Sequence, residues 1–471
     1  EFGVKVALRD IFERDSIQAL ARLIQEREKE ASKAYRPIEP APSQVYYPVT
    51  ASQKQMYVVQ QMEEENTVTS YHMPFRLELE GTLRTDKLRY VLHRLVGRHE
   101  SLRTSFHMVQ GELVQQIHKE PFWDMEEEEQ PEQGVEKAVQ AFLTPFDLGK
   151  APLFRAKLIR VHNERHVLLL DMHHIISDGI SVQILFGELA QLYAGTEEFG
   201  TLHVQYKDYA VWQESFEYQE HLQLQGDYWL QALSGELPVL HLPTDFPRPL
   251  TRQNTGASFS FELSARLSEQ LKELAGQEQT TLYTVLFAAF CILLSKYTSQ
   301  EDLIIGTPNA GRGHADVEQL VGMFVNTLAI RSRPEGQHTY LEYLSLCKDS
   351  IHRAHDYAEY PFEELVKKLD FQRDTSRNPL FDVMFSVEDL PQAIDVDGVV
   401  FRPGIMDWKR AKFDMDWIAV QGDQLQFMVE YDTSLFLMST IERMAKHYIY
   451  LLEQIIAQPD ILSTRPGRRR H

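Results

Sequence analysis

Residues 166–189, HVLLLDMHHIISDGISVQILFGEL, constrain the fold of this chain more than any other stretch. A half-exposed strand alternates apolar with polar residues, so the unbroken VLLL run predicts a strand buried on both faces. Ile180, Ile184, Leu185, Phe186 and Leu189 follow at helical spacing, which predicts an amphipathic helix directly after it. The corner between strand and helix carries His173, His174 and Asp178. Corners of this kind are where α/β proteins place chemistry, because the loop lies outside the core on a rigid scaffold.

The same grammar runs along the rest of the chain. Before the corner come strand-like PFRLELEG, helical DKLRYVLHRLVGRH, and strand-like LVQQIH and LFRAKLIRV. After the proline-rich LPTDFPRP (242–249) the alternation restarts. FSFEL precedes a helix from Ala265 and a long helix near 281–297; LIIGTP, FDVMFSV and LQFMVEYD then read as strands before a closing helix over 438–457. This predicts mixed α/β architecture in two subdomains of about 200 residues each, at 49–240 and 241–464, with no residue-level repeat. Residues 7–29 predict a turn and one amphipathic helix, with Asp15 as N-cap, Gln18 three residues on, and Ile17, Leu20, Ala21 and Ile24 on one face. YRPIEPAPSQVYYP (35–48) holds four prolines and predicts an extended linker, so the main body is expected to begin near Val49. DMEEEE (124–129) predicts a solvated loop rather than a metal site.

Composition removes several function classes. The 471 residues carry 48 Lys plus Arg against 69 Asp plus Glu, a formal net charge of −21; such a surface repels phosphate backbones and anionic lipid heads, so neither nucleic acid nor a membrane surface is an expected partner. Two cysteines, Cys291 and Cys347, cannot build a disulfide framework, and the expected compartment is the cytoplasm. The longest apolar run, Thr284 to Leu294, falls short of the roughly 18 residues of a membrane span. The chain opens on EFGVKV without a Met or an apolar leader, as an excerpt from a longer protein would, and RPGRRRH (465–471) reads as an artificial tail.

Adjacent residues on a strand point to opposite faces, so His173 and His174 do not converge on one metal or one reaction centre. One faces the site and the other packs. Residue spacing leaves the working imidazole open between catalysis and a satisfied core histidine, and leaves Asp178 open between a role at the site, a helix N-cap and a buried ion pair. Ser177 is close in sequence, but no GxSxG elbow and no cysteine accompanies the pair, so covalent catalysis is not indicated. Direct transfer between two bound substrates needs only one imidazole placed to accept or orient a proton.

MHHIISDG (172–179) resembles the HHxxxDG signature of condensation domains of nonribosomal peptide synthetases, and the rest of that family's ordered motif set is present. TASQKQMY (50–57) resembles the opening SxAQxRxW/Y element, RHESLRTSF (98–106) matches RHExLRTxF, and YKDYAVW (206–212) matches YxDFAVW. VGMFVNTLAIR (321–331), YPFEELV (360–366) and RDTSRNPLF (373–381) match the xGxFVNTxxxR, YPFE and RDxSRNPLF elements. The departures are Thr50 and Ser52 in the first element, and AEYPFE (358–363) where QDYPFE is common. Residues 1–30 resemble the end of a peptidyl carrier domain without its GGxS element, and Ser16 is not the phosphopantetheine serine; residues 31–48 would then be the linker.

The resemblance implies an α/β fold of two chloramphenicol-acetyltransferase-like subdomains in a V-shaped pseudo-dimer around a central tunnel. Donor and acceptor would enter on phosphopantetheine arms of upstream and downstream peptidyl carrier domains, beside an adenylation domain, in a chain monomeric within a larger synthetase. No cofactor or metal is expected on the domain itself. The family's motif places His174 toward the tunnel, as general base or as a group holding the amine and the tetrahedral intermediate, with His173 in support. Gly179 would let backbone approach the reacting carbonyl, or is a turn glycine. Asp178 would hold the loop through an arginine, Arg331 or Arg103, and Asn326 either faces the tunnel or is structural. The implied reaction is attack of an acceptor α-amine on a donor thioester; an epimerisation domain of the same fold and a catalytically silent carrier-docking module are the alternatives. A carrier-like helix joined to Val49 by only a short linker leaves no room for an intervening epimerase, which implies an L-configured donor.

Overall fold

A computed structural model describes residues 6, 10, 11, 14, 16–30, 37–62, 71–120, 123–196, 199–253, 255–369, 374–389, 392–404 and 410–460. Two six-stranded sheets and one three-stranded sheet organise them. In the first large sheet the order is Ile394–Val396, Val399–Gly404, His72–Gly81, Arg165–His173, Phe154–His162 and Glu126–Glu129. Arg165–His173 is thus interior, antiparallel to both neighbours, as its unbroken apolar run requires. The second runs Asn326–Ser332, Leu303–Asn309, Val383–Asp389, Met415–Gln421, Gln426–Asp432 and Gly256–Glu262.

Two large apolar cores result, one per half, but their membership does not follow the chain division at 240/241. Trp229, Leu233 and Leu240 pack in the second core, while Val317, Leu320, Val321, Met323 and Phe324 pack in the first. Val399–Gly404 pairs antiparallel with His72–Gly81, so a segment of the second half completes the first half's sheet. Chain order could not reveal this, because strand pairing is a long-range choice.

Three expectations change. Glu126–Glu129, expected as a solvated loop, is an edge strand parallel to Phe154–His162; Lys157 lies 3.2 and 3.3 Å from Glu126 and Glu128, and Arg160 lies 3.2 Å from Glu129. The basic residues of the neighbouring strand offset the like charges, and a charged edge resists pairing with another chain. The body begins before Val49: Ile38 is fully buried, its N–H donates to Asp316 Oδ2 (2.8 Å), the Ala41 N–H donates to Asp208 Oδ1 (2.8 Å), and Tyr47–Pro48 pairs with Glu112–Ile117. The N-terminal helix spans Ile17–Glu30 with the Ser16 hydroxyl accepting from the Ala19 N–H at 3.2 Å, whereas the expected cap, Asp15, lies outside the described residues. Of its expected face, Leu20 and Ile24 are half-buried beside a buried Leu23, Ala21 is exposed, and Ile17 is 88% exposed.

The apolar run Thr284–Leu294 lies within helix Leu282–Thr298, is buried on every side and includes Cys291. Among the described residues no single helix is long and apolar enough to cross a membrane.

Candidate active site

Strand Arg165–His173 ends at the first histidine, a single 3₁₀ turn spans His174–Ile176, and helix Gly179–Ala194 starts with Asp178 as its N-cap. His173 is 1% exposed. Its Nδ1 accepts from the Ile175 N–H at 3.0 Å, which leaves the proton on Nε2 to donate to Gln60 Oε1 at 2.5 Å. Both ring nitrogens are committed to protein. Burial, with the nearby His72, His174 and Lys412 charges, holds its pKa well below the usual histidine value.

His174 is half-buried and differently wired. Its backbone N–H donates to Tyr71 O at 2.7 Å, and its Nδ1 lies 2.8 Å from Ser177 O. A carbonyl only accepts, so Nδ1 carries the proton and Nε2 keeps a lone pair. Burial lowers the imidazole pKa to about 4, with Lys412 adding to the shift and Ser177 and Asp178 opposing it. The ring is therefore neutral at pH 7. The Ser177 hydroxyl beneath it is buried without a partner among the described residues.

Asp178 is 1% exposed and its carboxylate is bound by protein on both oxygens. Oδ1 accepts from the Ser181 N–H (2.7 Å) and from Arg312 Nη2 (3.1 Å), with the Ser181 hydroxyl 2.7 Å away; Oδ2 accepts from the Phe324 N–H (3.0 Å). Both carboxylate oxygens are engaged by protein, so both structural readings of Asp178, N-cap and buried ion pair, hold at once. The arginine is neither candidate read from the sequence. Arg331 is bound to Asp302 (2.7 and 2.9 Å) and to the carbonyls of Ser234 and Glu236, and Arg103 donates to His118 O (2.7 Å) and lies 3.5 Å from Glu100. Arg312 was missed because it lies 134 residues from Asp178 in sequence. Its one local signal is the glycine-flanked GRG (311–313) that follows the LIIGTPN strand after Ala310. There Gly311 has φ of +65° and a Cβ would stand 1.7 Å from Phe324 O, so only glycine lets the loop turn this close to 321–324.

Asn326 is structural: its Nδ2 donates to Ala358 O (2.8 Å) and Tyr360 O (2.7 Å), and its Oδ1 accepts from the Phe362 N–H (3.1 Å). Gly179 is exposed as the first residue of its helix; it has no positive φ, and a Cβ added there meets nothing within 4 Å. Neither backbone strain nor crowding by protein demands a glycine, which leaves open space at the corner.

A family model described as Condensation domain matches residues 43–464. The chain belongs to the condensation-domain family. It is 45% identical over 98% of its length to tyrocidine synthase 3 of Brevibacillus parabrevis and 42% identical over 98% to gramicidin S synthase 2 of Brevibacillus brevis, of which it spans 7% and 10%. The solved condensation domain from Monacolin K polyketide synthase MokA superposes with a TM-score of 0.81 at 19% identity, covering 89% of this chain and 99% of that one, and so shows the shared fold. The fold class is the expected one: two chloramphenicol-acetyltransferase-like α/β halves.

In this condensation domain the ordered motifs do unlike work. Segment 321–324 is stapled to the signature: the Ser181 hydroxyl lies 2.9 Å from Gly322 O and accepts from the Gly322 N–H (3.0 Å), the Ser101 hydroxyl donates to Val321 O (2.6 Å), and the Tyr206 hydroxyl donates to Met323 O (2.6 Å). From TASQKQMY, Gln53 Nε2 donates to Ile175 O at 3.0 Å and so braces the turn that carries His174. Of the candidates read from the sequence, the structure brings His173, His174, Asp178 and Gly179 together at one corner; Arg103, Arg331 and Asn326 bind elsewhere. What the corner offers chemically is one neutral imidazole whose Nε2 has no hydrogen-bond partner among the described residues, with open space at Gly179.

Proposed function

We propose that this domain joins two carrier-tethered substrates. The acceptor α-amine attacks the donor thioester carbonyl, the C–N bond forms, the C–S bond breaks, and the donor arm leaves as a thiol. The observation that carries this reading is the fixed tautomer of His174: Nδ1–H is held by Ser177 O, and Nε2 of a neutral ring can accept a hydrogen bond or the proton that the amine must lose. An α-amine is a far weaker base than a lysine (about 8 against about 10.4), so orienting it and taking its proton late suffices. Tethering supplies high effective concentration, so the site needs reach more than affinity. The open space at Gly179 supports the approach of a phosphopantetheine-borne acyl group.

In this reading the partners are upstream and downstream peptidyl carrier domains and an adjacent adenylation domain, within a larger cytoplasmic synthetase. Residues 1–30 are the end of the upstream carrier, the linker ends before Ile38, which is already core, and the two subdomains follow in sequence, with Trp229, Leu233 and Leu240 packing in the second and 317–324 and 399–404 in the first. The donor residue is L-configured. Dipeptide formation with one loaded carrier on each side tests this, comparing matched L- and D-terminated donors. Product from the L-donor at the higher initial rate is expected; a clear preference for the D-donor overturns the stereochemical assignment, and absence of product from either overturns the reaction.

A further inference from the structure

Strand His72–Gly81 begins beside the histidine corner, and its first side chain is buried. Register sets His72 directly opposite His173 and Pro74 opposite Asp171, so His72, Asp171 and His173 share one face of the sheet. His72 Nδ1 lies 2.8 Å from Asp171 Oδ2, the two side chains are 1% and 0% exposed, and Arg155 Nη1 stands 3.9 Å from the same oxygen. A carboxylate oxygen only accepts, so Nδ1 carries the proton. His72 Nε2 and Asp171 Oδ1 are buried without a hydrogen-bond partner among the described residues.

Stability does not require this pair. Two unmatched polar atoms in the interior cost free energy that apolar side chains would not, and the attraction between buried charges often falls short of their desolvation cost. What the pair does supply is a fixed start for its strand, and two separate routes lead from there to the 3₁₀ turn His174–Ile176. The first is backbone: the residue before His72 is Tyr71, whose carbonyl accepts the His174 N–H at 2.7 Å. The second runs through side chains. The His72 ring lies 4.9 Å from that of Phe146, the Phe146 carbonyl accepts from Gln60 Nε2 (3.2 Å), Gln60 Oε1 accepts from His173 Nε2 (2.5 Å), and His173 Nδ1 accepts from the Ile175 N–H (3.0 Å). The two routes end on successive amides of one turn. The Arg155 guanidinium lies 3.7 Å from the centre of the Phe146 ring, which ties the second neighbour of Asp171 into the same cluster.

We infer that His72 and Asp171 are positioning residues for condensation: their bond fixes the turn that carries His174, so that this imidazole meets the acceptor amine in one orientation. This rests on the amine-attack reading above. Substrates borne on carrier arms bring mobility of their own, so the imidazole is the partner that must be fixed, and a misplacement of about 1 Å can cost roughly a hundredfold in rate. Neither His72 nor Asp171 touches substrate in this mechanism. Asn can stand in for His72, because its Nδ2 takes the place of the imidazole Nδ1–H, whereas Leu keeps bulk and removes the donor.

Three variants of the whole chain separate positioning from packing: His72→Asn, His72→Leu, and His72→Leu combined with Asp171→Leu. The Leu pair removes both polar partners together and is expected to melt within about 3 °C of the parent, whereas His72→Leu alone strands the carboxylate and melts lower. Dipeptide formation by the Leu pair is expected to be roughly tenfold or more slower at saturating acceptor, with the half-saturating acceptor concentration within about twofold of the parent. His72→Asn should restore the rate to within about threefold. Hydrogen exchange over 172–178, measured without turnover, is expected to be about tenfold or more faster in the Leu pair, parental in His72→Asn, and unchanged elsewhere in the chain. Parental rate or parental exchange over 172–178 in the Leu pair overturns the proposal, as does His72→Asn as slow as the Leu pair, or faster exchange spread over the whole chain. If the Leu pair does not fold, His72→Phe, which removes the donor and keeps a ring against Phe146, replaces it in both measurements. A parent chain that makes no dipeptide defeats the reaction reading, while exchange over 172–178 still decides whether the pair fixes the turn.

Discussion

His173 and His174 are chain neighbours with unlike partners, and their substitution should separate two kinds of damage. Removing the His173 ring orphans the Ile175 N–H and Gln60 Oε1 in the interior, at about 1–3 kcal/mol for an unsatisfied buried group plus the cavity left behind. His173→Ala is therefore expected to lower the melting temperature by several degrees, whereas His174→Ala should melt near the parent and form no dipeptide; thermal denaturation and product assay on the same preparations check both. The pH dependence of stability follows from the depressed His174 pKa. Between pH 6.5 and 4 the unfolded chain binds a proton there that the native chain does not, so stability rises with pH across this window, is complete above it and is lost as pH falls through it. The shift to about 4 corresponds to roughly 3 kcal/mol. His174→Asn should flatten the plot of melting temperature against pH between 4 and 6.5 relative to the parent; equal slopes would mean that His174 protonates freely in the folded state.

At the scale of elements, the corner works because a strand, one 3₁₀ turn and a helix start are fixed against each other by one backbone bond, His174 N–H to Tyr71 O, and by two side chains that bind backbone, Gln53 Nε2 donating to Ile175 O and Asp178 Oδ1 accepting from the Ser181 N–H. Gly179 opens the helix into space. A Cβ there meets no protein atom within 4 Å, so a valine is expected to cost little stability, within about 0.5 kcal/mol of the parent, while its methyl groups enter the volume in which a tethered thioester would sit. Gly179→Val is expected to lower the dipeptide rate roughly tenfold or more with an unchanged melting curve. Full activity in this variant would show that substrate does not pass this point. Asn326 acts on a different element, tying strand Asn326–Ser332 to the start of helix Phe362–Lys368.

For the whole molecule, the histidine signature is also a fastening between halves: Asp178, at the helix start of the first, meets Arg312 and the Phe324 N–H of the second. Breaking a buried pair from one side costs about 3–5 kcal/mol, because the remaining charge is left without a partner. Asp178→Ala and Arg312→Ala should each lower the unfolding free energy measured in urea by an amount of that order, and the double variant should lose clearly less than the sum; additive losses would mean that the two side chains do not interact. Much of this molecule is legible in its sequence. Periods of two and 3.6 residues are local, so the interior strand 166–173, the helix after it, the buried helix around Cys291 and the closing helix 438–457 can be read directly, and the order of seven motifs names the family. Strand alternation predicts the unlike surroundings of His173 and His174, but the strand ends at His173 and a 3₁₀ turn sets the direction of His174. Tertiary structure alone decided which arginine holds Asp178, that Val399–Gly404 completes the other half's sheet, and that Ile38 is already core. Each of these is a contact between residues far apart in the chain. Sequence periodicity carries no distance between such residues, and among 48 Lys and Arg only the folded topology selects the few that come within reach of a given carboxylate or imidazole.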